Sequence, residues 1–414
     1  MLNVAILGFG ARGNHYAHLV NNSGMGKIVA ACDVRAERLE LAKREFDLSD
    51  AQLYQTSEDF FKAGKIADLC VVATQDAQHL EHAVKAMKLG YHLLLEKPIA
   101  ANMQDVMEIY ETSLKEKRRV FVCHVLRYAP FYSVIKDELS SGKYGKIVTI
   151  NMSENVGYWH QAHSFVRGNW SVAEKSTPMI IAKCCHDLDL VSWFMDQKCK
   201  SVSSFGSLSY FRKENAPAGH TARCIGCPEQ GKCAYDAEKI YITDRFNRGL
   251  KAWPVDVVAM DPTEEKLREA LKTGPYGRCV FECDNTAVDH QVVNMVFEDG
   301  ATAHLTMTAF SASTYRDIHV HCEKGDIYGN MESQKLNCNV YGFEERTIDI
   351  KEHYKSSYGH GGGDYFIVKD VVEELTGGNA KSVTSIERSV QSHKIGFAAE
   401  ESRVNGGKVI EVDF

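Results

Sequence analysis

Asn3 to Val20 reads NVAILGFGARGNHYAHLV, and its hydrophobic pattern changes period part-way along. An alternating apolar run from Val4 to Leu7 breaks at Gly8, Gly10 and Gly13, then resumes at helical spacing through Tyr16, Ala17 and Val20. The pattern predicts a strand, a tight turn and a helix. The three glycines stand at the spacing of a dinucleotide-binding turn. Gly8 permits the turn, Gly10 lets the backbone approach a pyrophosphate, and Gly13 lets the helix pack on the strand, so the phosphates meet the helix N-terminus. Gly8, Phe9, Gly10, Ala11, Arg12 and Gly13 are the expected cofactor cradle. A second apolar strand, Ile28 to Cys32, ends in Asp33, placed to accept hydrogen bonds from an adenosine ribose. Asp33 favours NAD, and nearby Arg35 keeps NADP open, because arginine accommodates a 2′-phosphate.

Beyond Asp33 strand and helix alternate: Glu37 to Phe46 helical, Ala67 to Thr74 strand, Leu80 to Leu89 helical, His92 to Glu96 strand, Asp105 to Lys117 helical, Val120 to Cys123 strand. This α/β alternation predicts a doubly wound parallel Rossmann sheet over residues 1–123, with the turns at Gly8, Asp33, Thr74 and Glu96 facing one crevice. In Glu96-Lys97-Pro98, the proline fixes the backbone where a strand ends and holds Lys97 extended, so the lysine can point at a substrate beside the nicotinamide.

GFGARG with Asp33, VVATQDAQH from Val71 to His79, and LLLEKP from Leu93 to Pro98 together resemble the Gfo/Idh/MocA family of nicotinamide-dependent oxidoreductases. The helix from Ile386 to Arg403 and the last strand resemble that family's ending, so the resemblance spans essentially the chain. It implies that Lys97 is catalytic, and that Thr74, His79 and Glu96 belong to the cofactor side of the crevice. The family usually carries proline where Gln75 stands.

After Cys123 the pattern changes to a helix through about Leu139 and long strands at Lys146 to Val156, Ser201 to Tyr210, Val288 to Phe297, Thr302 to Phe310 and Asp317 to Cys322. These predict a second α/β domain, 124–414, built on a large, mostly antiparallel sheet for substrate binding and oligomerisation. It carries an insertion at 211–284 and C-terminal helices from about 364.

Glu154 to Trp170, ENVGYWHQAHSFVRGNW, is dense in residues that grip a polyol. Tyr158, Trp159 and Trp170 can stack on sugar rings, and His160, His163 and Arg167 can bond hydroxyls. Arg127, Asp187 and His360 complete the candidate substrate set. Thr177-Pro178 followed by MIIAKCCHDLDLVSWFM predicts one buried helix with Lys183, His186 and Asp187 close on a face. A buried lysine and histidine are functional candidates. In the resembled family an aspartate stands four residues before a catalytic histidine; here His186 matches the histidine, but Ala182 occupies the aspartate position and Lys183 is the nearest polar substitute. The expected mechanism has His186, tuned by Lys183 and Lys97, removing a hydroxyl proton while the adjacent carbon gives up hydride.

Thirteen cysteines, an odd number without the density of a disulfide scaffold, point to reduced thiols or a metal site. RCIGCPEQGKC and GRCVFEC supply Cys224, Cys227, Cys233 and Cys279 as candidate ligands of structural zinc. Iron and sulfur, or free thiols, fit the same spacing. Tyr358 to Asp364, rich in glycine, opens the helix that follows, and Gly377 to Lys381 reads as a turn.

An apolar content of 44% and charged content of 25% are globular values. The net charge of −7 gives no basic face for nucleic acid, and no apolar run is long enough for a membrane span. The first strand starts at once, without a signal-peptide pattern, so the expected compartment is the cytoplasm. The expectation is a homo-oligomeric NAD(P)-dependent oxidoreductase of a small sugar, glycoside or inositol. A redox-neutral glycoside hydrolase with tightly bound NAD stays open. So does a non-enzymatic dinucleotide-binding sensor, although a sensor needs no pair like Lys97 and His186.

Overall fold

The glycine turn folds as its pattern predicts. Strand β1 (Leu2–Leu7) runs through the turn into the Ala11–Asn22 helix. A Cβ on Gly8, whose φ is +93°, would stand 2.6 Å from the Ala73 carbonyl, and one on Gly13 would stand 2.0 Å from the Gly8 carbonyl oxygen. Neither position admits a side chain. The computed structural model describes residues 1–353, 359–380 and 382–413. Tyr358 and Lys381, from the two glycine-containing stretches, lie outside the described residues.

Strands β2 (Gly26–Cys32), β3 (Leu53–Tyr54), β4 (Leu69–Val72), β5 (His92–Leu95) and β6 (Val120–Val122) join β1 in a parallel sheet of order β3-β2-β1-β4-β5-β6. The order reverses between β1 and β4, which opens a crevice at the carboxyl ends of the strands. Because side chains alternate along a strand, Val4 and Ile6 pack on one side with Tyr16 and Val20, while Ala5 and Leu7 pack on the other with Ala86 and Met87. The last two helices of the chain return to this sheet. Ile367, Val368 and Val371 of the Gly363–Leu375 helix join the first core, and Ile386 and Val390 of the Ile386–Val404 helix join the second.

The second sheet has nine strands: β7 (Ile147–Asn155), β8 (Cys199–Ser207), β9 (His290–Phe297), β10 (Thr302–Thr308), β11 (Tyr315–Cys322), β12 (Gly325–Asn330), β13 (Lys335–Val340), β14 (Glu344–Asp349) and β15 (Ile410–Glu411). Their order is β14-β13-β12-β11-β7-β10-β9-β8-β15, antiparallel except where β7 and β10 pair in parallel. Strands β12 to β14 escape the sequence pattern: β12 and β13 bury only Gly325, Ile327, Leu336 and Cys338 among glycines and asparagines, and β14, at the edge, buries no residue. Strand β8 ends at Ser207 rather than Tyr210, where the buried Asp289 carboxylate accepts the Ser209 and Tyr210 backbone N–H groups and turns the chain.

The single helix expected from Pro178 to Met195 is two. Met179–Ala182 stops at Lys183, and a new helix runs Cys185–Met195. An unbroken helix would give the Ala182 carbonyl to the N–H four residues on; here it accepts the Lys97 ammonium instead, at 2.8 Å. The Cys185–Met195 helix lies between the second sheet and the Ile386–Val404 helix, with Leu188, Leu190 and Val191 in the same core as Ile150, Leu305 and Ile395. Among the described residues no helix is long and apolar enough to cross a membrane.

Gly13→Ala is expected to destabilise the chain by about 2–3 kcal/mol, the cost of overpacking a contact that cannot relax. Urea denaturation of the variant measures it, and an unchanged midpoint would refute the close helix–strand contact.

Candidate active site

The cofactor side is built from the first turn. A Cβ on Gly10 would meet no atom within 4 Å, in contrast to Gly8 and Gly13, so the turn is open on that side. The helix that follows has no side-chain cap and no acidic residue in its first turn, which leaves its N-terminus fit for a phosphate. Asp33 ends β2, and one carboxylate oxygen accepts the Arg35 N–H at 3.0 Å with the Arg35 guanidinium 3.7 Å away.

Four side chains expected against the cofactor brace the turns instead. Phe9 is fully buried and meets Phe46 edge-on. Arg12 binds the Glu96 carboxylate at 2.6 Å and Asp364 at 2.7 Å. Glu96 also accepts the Tyr16 hydroxyl and the Lys97 N–H, and Arg12 holds its carboxyl below the usual range against the opposing effect of burial. His79 is buried between the Pro98 and Thr74 carbonyls, at 2.8 and 3.2 Å. These contacts set the geometry of the Thr74 and Glu96-Lys97-Pro98 turns, and Ala11 stays exposed at the helix start.

The candidate reactive end lies where Lys97 meets the break between the Met179–Ala182 and Cys185–Met195 helices. His186 is buried, and its Nδ1 has no hydrogen-bond partner. Burial first, then the positive charge of Lys97, hold its imidazole well below the ordinary histidine range, so it is neutral and can accept a proton. His360 stands 5.8 Å away, ring centre to ring centre, with its Nδ1 on Asp364 at 2.9 Å. Lys183, turned aside by the helix break, lies 3.2 Å from Glu154. Burial lowers its pKa and Glu154 opposes the effect.

Glu154 and Arg316 went unseen in the sequence. They are paired across β7 and β11, joined at 2.5 Å, and both are buried. The signal was available for Glu154, which follows Ile150 and Met152 on the inward positions of a strand where an apolar residue belongs. Arg316 occupies the matching inward position one residue before the expected start of β11. It also binds Asp187 Oδ1 at 2.8 Å, while Oδ2 of that carboxylate is buried without a hydrogen-bond partner. Burial raises Asp187 to about 6, with Arg316 pulling it down.

Two arginines leave the substrate set. Arg127 is buried in a bidentate pair with Asp189 and donates its remaining group to the Val383 carbonyl, and Arg167 donates to the Arg278 and Tyr235 carbonyls. Trp170 likewise faces Asp76, at 3.0 Å. The aromatic wall is made instead from both sides of the insertion boundary. His160 lies between Trp159 and Trp253, and His163 stacks on Tyr276 at 4.6 Å and meets the Tyr241 hydroxyl at 2.9 Å. Burial lowers His163 to about 3 and holds His160 well below its usual range, so both rings are neutral. Arg245 stacks on Trp159 at 3.9 Å.

Cys224, Cys227, Cys233 and Cys279 line one cavity. Among the described residues only His319, His321 and Asp326 bring three ligand atoms within 4.8 Å of one another, so no three of these sulfurs do.

Residues 2–124 match the oxidoreductase family profile for an NAD-binding Rossmann fold, and residues 136–412 match the same family's C-terminal alpha/beta domain. YteT of Bacillus subtilis is 26% identical over 365 residues, 83% of this chain and 82% of that protein. The inositol 2-dehydrogenase of Salmonella typhimurium is 26% identical over 207 residues, which cover 49% of this chain and 57% of that enzyme. The fold is shared with a levoglucosan dehydrogenase in complex with NADH (TM-score 0.72, 15% identity, 100% of this chain and 99% of that one). It is shared too with the WlbA dehydrogenase of Bordetella pertussis in complex with NADH and UDP-GlcNAcA (TM-score 0.72, 16% identity, 100% and 98%).

Arg316→Met is expected to cost about 3–5 kcal/mol at pH 8, because it strands the buried Asp187 carboxylate and leaves Glu154 with Lys183 alone. Asp187 has a folded pKa above its unfolded value, so the folded state binds the extra proton and stability rises as pH falls through about 6. The loss should therefore shrink at pH 5; a loss equal at both pH values would refute the role of Arg316 in holding the carboxylates charged.

Proposed function

The chain belongs to the Gfo/Idh/MocA oxidoreductase family, and from that premise we propose that it oxidises a ring hydroxyl of a sugar, glycoside or inositol. NAD is the proposed cofactor, and Arg35, at the end of the Asp33 loop, keeps NADP as an alternative. The observation that carries the reading is His186, buried and neutral next to Lys97 with a free ring nitrogen.

The turn at Gly10, the helix N-terminus and Asp33 suit the phosphates and ribose of the cofactor. When bound, the nicotinamide accepts a hydride. The protein's own work is to remove the hydroxyl proton and stabilise the oxygen it leaves. His186 acts as the base, and a neutral imidazole is the form that can take the proton. The Lys97 ammonium, held at the Ala182 carbonyl, and Lys183, held at Glu154, supply positive charge for the developing alkoxide. Trp159, His160, His163 and Trp253 offer aromatic faces and ring nitrogens to a polyol. The resemblance of the fold to dehydrogenases crystallised with NADH supports the cofactor side of this reading.

The His360–Asp364 pair favours a second reading. It places another acid–base group one ring away from His186, as a hydrolase would need if it oxidised a glycoside transiently, cleaved it and reduced it again.

The deciding measurement is absorbance at 340 nm with NAD or NADP and a panel of free sugars, glycosides and inositols, with products analysed in parallel. Accumulating reduced cofactor is the expected result; glycoside cleavage without it moves the assignment to the redox-neutral hydrolase. His186→Ala should lower turnover by about 10²–10⁴-fold with cofactor affinity retained. Undiminished turnover would remove His186 as the base.

The pH dependence follows from the same geometry. The acid limb of kcat/KM should lie below the ordinary histidine pKa of about 6.5. Lys97→Met removes a charge that depresses His186, so the His186 titration, followed by NMR, should move upward. A downward or absent shift would refute the coupling.

A further inference from the structure

The cysteine cavity in the insertion is far from accidental in its construction. Cys224 and Cys279 sit on two short segments bridged at Arg223 and Arg278, and the Cys224 N–H and Cys279 N–H are held by the Gly277 and Ala222 carbonyls. The turn after Cys224 brings Cys227 back through its N–H to the Cys224 carbonyl, and a second turn fixes Cys233 on the Glu229 carbonyl. The four cysteines line one small, half-open pocket that Tyr235, Val280 and Phe281 also wall.

The same cavity is lined by Arg167, a buried cation with no carboxylate within 4 Å among the described residues. One of its terminal nitrogens donates to Cys224 Sγ at 3.3 Å, and the other, Nη1, has no partner. A buried, uncompensated guanidinium costs several kcal/mol. An anionic centre in the cavity supplies what Arg167 lacks.

We propose that these four cysteines hold an iron–sulfur cluster. Zinc also takes four thiolates, but at about 2.3 Å each, which draws all four sulfurs into one small tetrahedron. A cluster spreads its thiolates over several irons with sulfide between them, so they ring a space. The four cysteines here line one shared pocket, and among the described residues no three of their sulfurs are mutually within 4.8 Å. The Tyr235 N–H donates to Cys233 Sγ at 3.4 Å, a contact of the kind that tunes cluster thiolates. The role is a cross-brace: the cluster pins the 224–235 and 278–281 segments to Arg167, one helical turn from His163, and so holds the part of the insertion that supplies Tyr241 and Tyr276. This assignment does not depend on which substrate the enzyme takes.

The test is iron, zinc and acid-labile sulfide analysis of the full chain purified without oxygen, with a visible absorption spectrum. About two or about four iron per chain with matching sulfide and a broad charge-transfer band is the expected result. One zinc per chain without sulfide overturns the proposal. So does a folded, metal-free chain that takes up nothing when incubated anaerobically with ferrous iron and sulfide. Cys227→Ser, at the half-exposed rim where folding is least at risk, should lose most of the iron and the absorption band. Cys283→Ser should keep both, because Cys283 hydrogen-bonds the Cys279 carbonyl and does not line the cavity. Equal iron in the two variants would also overturn the assignment.

Discussion

The ion pair between Glu154 and Arg316 is the contact on which the reactive end depends. It is made across two central strands of the second sheet, and Arg316 carries Asp187 on its other side. Charges this deeply buried are tolerable only when each has a partner. Glu154 in turn holds Lys183, so two carboxylates and two cations are fixed in a chain that reaches from the sheet to the Cys185–Met195 helix. With Lys97 added, positive charge prevails around His186, and that, with burial, keeps the imidazole neutral. At Ala182, where the resemblance leads to an expected aspartate, the carbonyl of Ala182 itself receives Lys97.

A second set of contacts ties the cofactor side to the end of the chain. Arg12, in the first turn, joins Glu96 of the Glu96-Lys97-Pro98 turn to Asp364 of the Gly363–Leu375 helix, and Asp364 holds His360. Residues from three distant parts of the chain therefore share one guanidinium. Gly363 stands at the start of that helix where a Cβ would come within 2.1 Å of the Val125 carbonyl, so the helix sits flush against the segment after β6. The position of His360 near His186 follows from the same packing.

The insertion contributes in a different way. It has few regular elements and two small apolar cores, one around Phe211 and Phe281 shared with Ala162, Val166 and Ala309 of the surrounding domain, the other around Tyr241 and Leu267. Such a segment needs extra restraints to place aromatic side chains accurately. Arg167 provides one restraint through carbonyls of Arg278 and Tyr235, and the cysteine cavity beside it provides the setting for another. Arg127 has an analogous structural job at the other end of the domain, through Asp189 and Val383.

Local pattern was enough for the first sheet, because a period of two, a period of 3.6 and glycines at 8, 10 and 13 are properties of neighbouring residues. The same locality made Lys97 and His186 legible, one through the turn it stands in and one through the apolar helix around it. Strands β12 to β14 were not legible, since glycine and asparagine dilute the short apolar alternation of β12 and β13, and the edge strand β14 has no buried residue to mark a face. The break at Lys183 was hidden too, because the group that takes the Ala182 carbonyl is Lys97, 85 residues away. What the arginines do was beyond the sequence for the same reason. Arg127 and Arg167 have the chemistry of substrate ligands, and only the fold shows that buried carboxylates and carbonyls already occupy them. Arg316 has the chemistry of a surface residue, and only strand pairing across 162 positions puts it opposite Glu154 at the centre of the site. Sequence by itself determined the nucleotide-binding turn, the two-sheet plan and two candidate reactive side chains; tertiary structure decided which charges meet, because charge pairing acts through space and leaves no period along the chain.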